Sequence, residues 1–125
     1  MAAAHELQVQ IANEPGALGR ISEILGQQGI NIRGFGVWVA TAHVLVGDHV
    51  KAAELLRAAG FQLQIVDVLE LLVPDEPGNL AEIARALGDA GMNIDYSYTV
   101  SSPTPGAAAF VLAVANTDQA EKVLD

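Results

Sequence analysis

The chain has 125 residues, no cysteine and a formal net charge of −9. The lack of cysteine excludes disulfides, thiolate nucleophiles and cysteine-based metal sites, and it makes the cytoplasm the expected compartment. With six Lys and Arg against 15 Asp and Glu, no nucleic-acid partner is expected, because an acidic surface repels phosphate. Although 51% of the residues are hydrophobic, no apolar run approaches the ~20 residues of a membrane span, so no membrane partner is expected either.

The first half of the chain predicts a β-α-β-β-α-β unit. Residues 6–12 alternate apolar and polar side chains, which is typical of a half-buried strand. A Pro-Gly turn follows, and an apolar stripe at helical spacing predicts a helix that ends at Gly29. Gly34 and Gly36 interrupt the alternation of the next strand, which predicts a β-bulge. The remaining elements are strands over residues 30–39, 43–46 and 61–66 and a helix over residues 50–59.

The second half repeats this order and stops one strand short. Because no linker separates the halves, residues 61–73 are expected to form one extended segment that feeds both sheets. The missing last strand would leave an open sheet edge, and open edges pair with other chains. We therefore predict a homodimer. The predicted elements of this half are strands over residues 67–73, 92–100 and 107–114 and helices over residues 80–90 and 118–124.

A stretch of 20 residues occurs twice in the chain, at an offset of 62. Between residues 13–32 and 75–94, 10 of the 20 positions are identical. The identical residues include the Pro-Gly turn, the apolar stripe of the helix and the Asn-Ile pair that follows it. Such a repeat indicates two copies of one structural unit. At about 60 residues each copy has a marginal core, so we expect the two copies to pack together.

The repeated residues resemble the signature of the ACT domain. They are residues 13–18 and 29–32 in the first copy, and residues 75–80 and 91–94 in the second. The resemblance runs from Glu6 almost to the end of the chain. It implies an α+β fold of two ferredoxin-like βαββαβ ACT repeats packed together, residues 5–66 and 67–125, with the last strand of repeat two absent. That missing strand and the bulky Trp38 depart from the family pattern.

The resemblance further implies a regulatory protein, not an enzyme, that binds an amino acid or a similar metabolite without a cofactor or metal. ACT domains typically bind such ligands where the loop between strand one and helix one meets strand two of a paired domain. The implied ligand-binding residues are Asn13, Glu14, Gly16, Ala17, Leu18, Asn31 and Ile32 in the first repeat and Asp75, Glu76, Gly78, Asn79, Leu80, Asn93 and Ile94 in the second.

The chemistry of these residues is compatible with such a site. The N–H groups of Gly16, Ala17 and Leu18 lie at a predicted helix N-terminus, where the helix dipole favours a ligand carboxylate. Asparagine both donates and accepts, so it suits either end of a zwitterion. The alternative is that the Pro-Gly pair only shapes the turn and each Asn bonds its local backbone. Arg33 against Asp95, at equivalent positions, suggests that the two sites are unequal.

Two other functions compete with a ligand sensor. One is a ligand-free regulatory or assembly subunit that docks on a metabolic enzyme, and it would expose an apolar patch. The other is an enzyme of the acylphosphatase kind, which needs a cationic phosphate cradle after strand one. The carboxylates of Glu14, Asp75 and Glu76 would repel phosphate there, so an enzyme is disfavoured.

We expect structural roles for the histidines, for two charged pairs on the helices and for the large aromatic residues. The histidines lack metal-ligand spacing, so His5 is expected in a flexible tail and His43 and His49 at strand ends. Arg20–Glu23 and Glu82–Arg85 are oppositely charged pairs three residues apart. They form either exposed pairs within each helix or contacts between the two helices. Trp38, Tyr96 and Tyr98 are expected in the core or at an interface.

Overall fold

The computed structural model describes residues 2–12 and 15–125. The two βαββαβ-type units confirm the predicted α+β fold with ferredoxin-like repeats. None of the helices in the described residues has the length and apolar character needed to cross a membrane. The elements are β1 (Ala2–Gln10), α1 (Ala17–Gln27), β2 (Ile32–Trp38), β3 (Thr41–Val46), α2 (His49–Ala58), β4 (Leu63–Pro74), α3 (Asn79–Asp89), β5 (Tyr96–Val100), β6 (Ala107–Ala113) and α4 (Thr117–Leu124).

The chain divides into two compact units. His5–Val66 forms the first unit, and Asp67–Asp125 together with residues 2–4 forms the second. β4 runs without a break from Leu63 to Pro74, and this confirms the continuous segment that the sequence predicts.

In the first unit the strand order is β2-β3-β1-β4. β3 pairs antiparallel with both β1 and β2, and a register shift between Ile32 and Gly34 confirms the predicted bulge. Successive side chains of a strand point to opposite faces. Leu7 and Val9 therefore lie in the core, and Glu6 lies on the other face of the sheet. The core also contains Ile21, Leu25, Ala42, Val44, Val46, Ala52, Ala53 and Leu56.

The second unit repeats this arrangement as β4-β6-β5. β6 pairs antiparallel with β4 and β5, placing Leu71 opposite Phe110 and Tyr98 opposite Val111. Its core contains Leu69, Leu71, Leu87, Leu112, Val114 and Ala120. The apolar stripes that the sequence assigns to the two first helices therefore enter two separate cores.

The place of the missing last strand is taken by the N-terminal end of β1. No strand follows α4 in the described residues. Residues 2–4 belong to the second unit, however, and β1 neighbours β4 in the strand order. In a βαββαβ unit the fourth strand lies beside the first. The open edge from which the sequence predicts a homodimer is thus occupied within the chain, and His5 lies in a strand and not in a flexible tail.

Candidate ligand-binding site

The first helix of each unit begins at a left-handed glycine. Gly16 and Gly78 both have φ of 94°, and neither helix start has a side-chain cap. The other two helices are capped conventionally, because Asp48 and Asn116 accept from backbone N–H groups of their first turns. The first N–H groups of a helix have no partner inside it. Among the described residues no side chain caps α1 or α3, although the Asn79 N–H of α3 donates to the Glu76 carbonyl at 3.4 Å. Asn13 and Glu14, predicted as ligand-binding residues, lie outside the described residues.

A pocket of about 440 Å³ opens beside the start of α1 in the first unit. Its floor is the end of β1 and the first turn of α1, where Gly16, Ala17 and Leu18 lie. Its other wall is the hairpin that joins β2 to β3, with Val37 and Trp38. The lining side chains that the structure describes are mainly apolar, so among these residues the polar contacts to a ligand would come from the backbone. We call this the loop pocket.

The hairpin at the rim of the loop pocket is strained. Val39 and Ala40 have φ of 49° and 55°, in the left-handed region, and Val39 is 90% exposed. Two-residue hairpin turns that need positive φ usually use Asn-Gly, since a β-branched residue is an outlier there. Strain of this kind costs of order 1–3 kcal/mol per residue and clusters at functional sites. The sequence instead predicted a connection over residues 40–42, although Thr41 and Ala42 lie in β3.

Trp38 links the loop pocket to a buried polar pair. Its ring stacks on His43 with centroids 4.0 Å apart and an angle of 13° between the planes. His43 Nδ1 lies 2.9 Å from Glu6 Oε1, and both side chains are buried. Gly36 leaves the room that the indole fills, because a Cβ at that position would overlap Trp38 Cζ3.

Sequence reasoning missed this pair and placed His43 at a strand end. The signal lies in the strand register: Gln8 faces His43, so Glu6 is the diagonal neighbour of His43 on the same face of the sheet. His49 was also misplaced, since it is the first residue of α2. Its ring packs against that of His5, with centroids 4.2 Å apart. Among the described residues no three His, Asp or Glu side chains converge into a metal site.

Asn31 lies at the far end of α1 from the loop pocket. It lines a separate pocket of about 390 Å³ with Arg33, Asp48 and Lys51. Because α1 has 11 residues and a helix rises 1.5 Å per residue, about 16 Å separates its two ends. One small ligand cannot contact Gly16 and Asn31 of the same unit. Ile32 packs against the core of the first unit.

In the second unit, hydrogen bonds close the loop that leads into α3. The side-chain amide of Asn79 donates to the Pro74 carbonyl, and the Asp75 N–H donates to the Gly106 carbonyl at 2.9 Å. Glu76 is exposed and its N–H donates to the same Pro74 carbonyl at 2.9 Å. A shallow pocket of about 460 Å³ runs from Gly78 along α3. Several polar groups of this loop thus bond within the loop itself or to Gly106.

The far end of α3 is acidic where that of α1 is basic. Asn93 Nδ2 donates to Asp95 Oδ1 at 2.9 Å, and both line a pocket of about 300 Å³ with Asn116 and Gln119. Ile94 packs against the core of the second unit, and Leu80 is 50% exposed.

One family model matches part of the chain. Residues 68–125 match the family model of the ACT domain. This ACT match lies within the second unit. No match is found among the curated proteins.

Solved structures resemble the chain over almost its whole length. The protein BT0572 from Bacteroides thetaiotaomicron is 27% identical, with a TM-score of 0.85 over 98% of this chain and 86% of that one. The regulatory subunit of aspartate kinase from Thermus thermophilus, in its ligand-free form, is 18% identical, with a TM-score of 0.67 over 98% and 90%. The same subunit from Thermus flavus is 19% identical, with a TM-score of 0.65 over 98% and 88%. At these identities the two kinase subunits share the fold.

Proposed function

We propose that the chain is a pair of ACT domains that acts as a regulatory module, not as an enzyme, and binds an amino acid or a similar metabolite. The observation that carries this proposal is the start of α1, where a left-handed Gly16 leaves the first turn without a side-chain cap beside the loop pocket. The ACT match of residues 68–125 supports it. The similar structures described as regulatory subunits of aspartate kinase support it as well.

In this proposal the α-carboxylate of the ligand binds the N–H groups at the start of α1. Donors at a helix N-terminus favour an anion through both their hydrogen bonds and the helix dipole. The ligand side chain would lie against Val37 and Trp38 in the loop pocket. Asn31 cannot reach this ligand from its own unit, so it would contribute to a ligand held by a paired ACT domain. A homodimer is one way to supply that pairing.

We propose that the first unit holds the stronger site. In the second unit the Asn79 side chain bonds Pro74, within the loop where the equivalent residue of the first unit is Ala17. The pocket beside Gly78 has no wall corresponding to the strained hairpin among its lining residues.

A second candidate function is a subunit that docks on a metabolic enzyme without a ligand. The observation that favours it is a row of exposed apolar side chains along β2, an outer strand in the order of the first unit. Phe35 is 53% exposed and Val37 44%. An exposed apolar edge strand is a surface on which another chain can pair.

A thermal-shift screen of the full chain against the twenty amino acids and common nucleotides tests the sensor. A ligand that binds only the folded state adds RT ln(1 + [L]/Kd), about 2.7 kcal/mol at 100 times Kd. We expect a shift that saturates with one amino acid or a small related group. A flat screen up to millimolar concentrations would reject the sensor and favour the docking subunit.

The oligomeric state is tested separately by light scattering across the micromolar range. A dimer mass would support pairing between chains. A monomer mass at all concentrations would reject the homodimer.

A further inference from the structure

A second pocket also lies beside the start of α1. It has a volume of about 480 Å³, and it is built within the first unit by the end of β1, the start of α1 and the segment that leads into β4. Its polar side chains are Gln10, Arg20 and Gln62, and Phe61 supplies an aromatic wall. Among the residues that the structure describes, none that lines this pocket is acidic, although the chain has 15 Asp and Glu. We call this the arginine pocket.

The Arg20 side chain is fixed in this pocket by two contacts. Its Cζ lies 5.1 Å from the centroid of the Phe61 ring, and its Nη2 donates to the Ala59 carbonyl at 3.2 Å. The predicted pair with Glu23 is not formed, because Glu23 accepts instead from Gln27. A guanidinium held over an aromatic ring loses less conformational entropy when it binds a ligand.

Most of the donors of Arg20 remain for a ligand. A guanidinium has five N–H groups, and within the described residues one hydrogen bond uses them. Gln10 and Gln62 are exposed and carry primary amides beside it. A planar fork of N–H donors matches the two oxygens of a carboxylate, and the amides supply further donors at the rim.

We propose that the arginine pocket is a second ligand site, which binds the carboxylate of a small organic acid. A carboxylate is favoured over phosphate because Arg20 is the single cation among the described residues of the lining, and one positive charge compensates a monoanion better than a dianion. The overall charge of −9 also opposes a dianion more strongly. This proposal rests on the side-chain donors of Arg20 and not on the N–H groups of the helix start, although the two pockets share Ile11, Ala12, Gly16 and Ala17.

The second unit provides a natural comparison. Glu82 occupies the position of Arg20, so the second unit carries a carboxylate there where the first carries a guanidinium. Glu82 lines the pocket along α3 together with Arg85. A small carboxylate should therefore bind at the first unit and not at the equivalent place in the second.

The test is an NMR titration of the ¹⁵N-labelled full chain with sodium acetate, at constant ionic strength set with sodium chloride. We expect saturable shifts of the backbone amides of Gly60, Phe61 and Gln62, with no comparable change at Gly78.

Arg20→Gln removes the charge and should weaken acetate binding at least about tenfold, the loss expected for a charged hydrogen-bond donor. Arg20→Lys keeps the charge but lacks the planar pair of N–H donors. Its affinity for acetate should lie between those of wild type and Arg20→Gln. Arg85→Gln, which removes an exposed cation from α3, is the matched control and should change nothing.

Three results would overturn this proposal. They are shifts that rise linearly without saturation, unchanged acetate binding in Arg20→Gln, and shifts at Gly78 equal to those at Gly60. A parallel titration with inorganic phosphate tests the ligand class, and tighter binding of phosphate than of acetate at Gly60 would reject the carboxylate assignment. Because Arg20 is exposed, we expect both Arg20 variants to fold, and circular dichroism checks this.

Discussion

The two units have similar backbone conformations but different side chains at equivalent positions. Gly16 and Gly78 adopt the same φ of 94°, and both start a helix of 11 residues without a side-chain cap. Near the two ends of these helices the charges are reversed: Arg20 corresponds to Glu82, and Arg33 corresponds to Asp95. The residues that are identical in the two repeats therefore reflect the turn that both units need. The residues that differ determine what each unit can bind.

The same contrast extends to the sheet. Glu6 and His43 form a buried pair in the first unit, and the offset and the strand register place Val68 and Val111 at the equivalent positions of the second. Both valines are fully buried. One backbone position thus accepts a polar pair or an apolar pair, but a mixture would leave a buried group without its partner.

The largest expected effect comes from breaking the buried pair. His43→Val should lower the free energy of unfolding by about 3 kcal/mol, because the buried Glu6 carboxylate loses a partner. The double variant Glu6→Val/His43→Val reproduces the second unit and should lose less than the single variant. Urea denaturation followed by circular dichroism measures the losses of Glu6→Val, His43→Val and the double variant. A double variant that loses the sum of the two single losses would show that the pair is not coupled.

The next effect concerns the space that Gly36 leaves for Trp38. Gly36→Ala should displace the indole and cost about 2 kcal/mol, since a Cβ there would overlap the ring. Trp38 is the single tryptophan, so its fluorescence reports the displacement directly. Gly47→Ala is the control, because a Cβ at Gly47 meets no atom within 4 Å. Equal fluorescence spectra for the two variants would contradict the stacked arrangement.

The smallest effect concerns the hairpins that the two units use differently. Ala40→Gly should stabilise the protein by about 1 kcal/mol, because Ala40 has φ of 55° and glycine adopts that conformation without strain. In the second unit Gly106 has φ of 79°, so Gly106→Ala should destabilise by a similar amount. Denaturant midpoints compare the two variants. Effects of the same sign would contradict the assignment of strain to the first hairpin.

The parts of the fold that local patterns determine could be predicted from the sequence. The helices α1 and α3, the bulge near Gly34 and the continuous strand β4 all follow from periodicity and from glycine placement. The role of residues 2–4 could not be predicted, because it depends on pairing with residues distant in the chain. The Val39–Ala40 turn was missed because neither residue type normally adopts positive φ.

In the candidate site, too, some features could be predicted from local sequence patterns and others could not. The repeated Pro-Gly turn predicted the start of α1, and there the structure has an uncapped helix and a pocket. The contact of Arg20 with Phe61 joins residues 41 positions apart, and no helical spacing indicates it. Which paired domain would bring an Asn31 to the loop pocket is likewise a question of tertiary assembly that a local pattern does not answer.

The central claim is that the start of α1 binds the ligand and that the first unit holds the stronger site. The most direct test is calorimetric titration of the amino acid that gives the largest thermal shift into wild type, Gly16→Ala and Gly78→Ala. Both variants place a Cβ at φ of 94° in open space, so they should lose similar stability. We predict that Gly16→Ala weakens binding at least about tenfold and that Gly78→Ala leaves it within about twofold. Equal affinities for wild type and Gly16→Ala would contradict the claim.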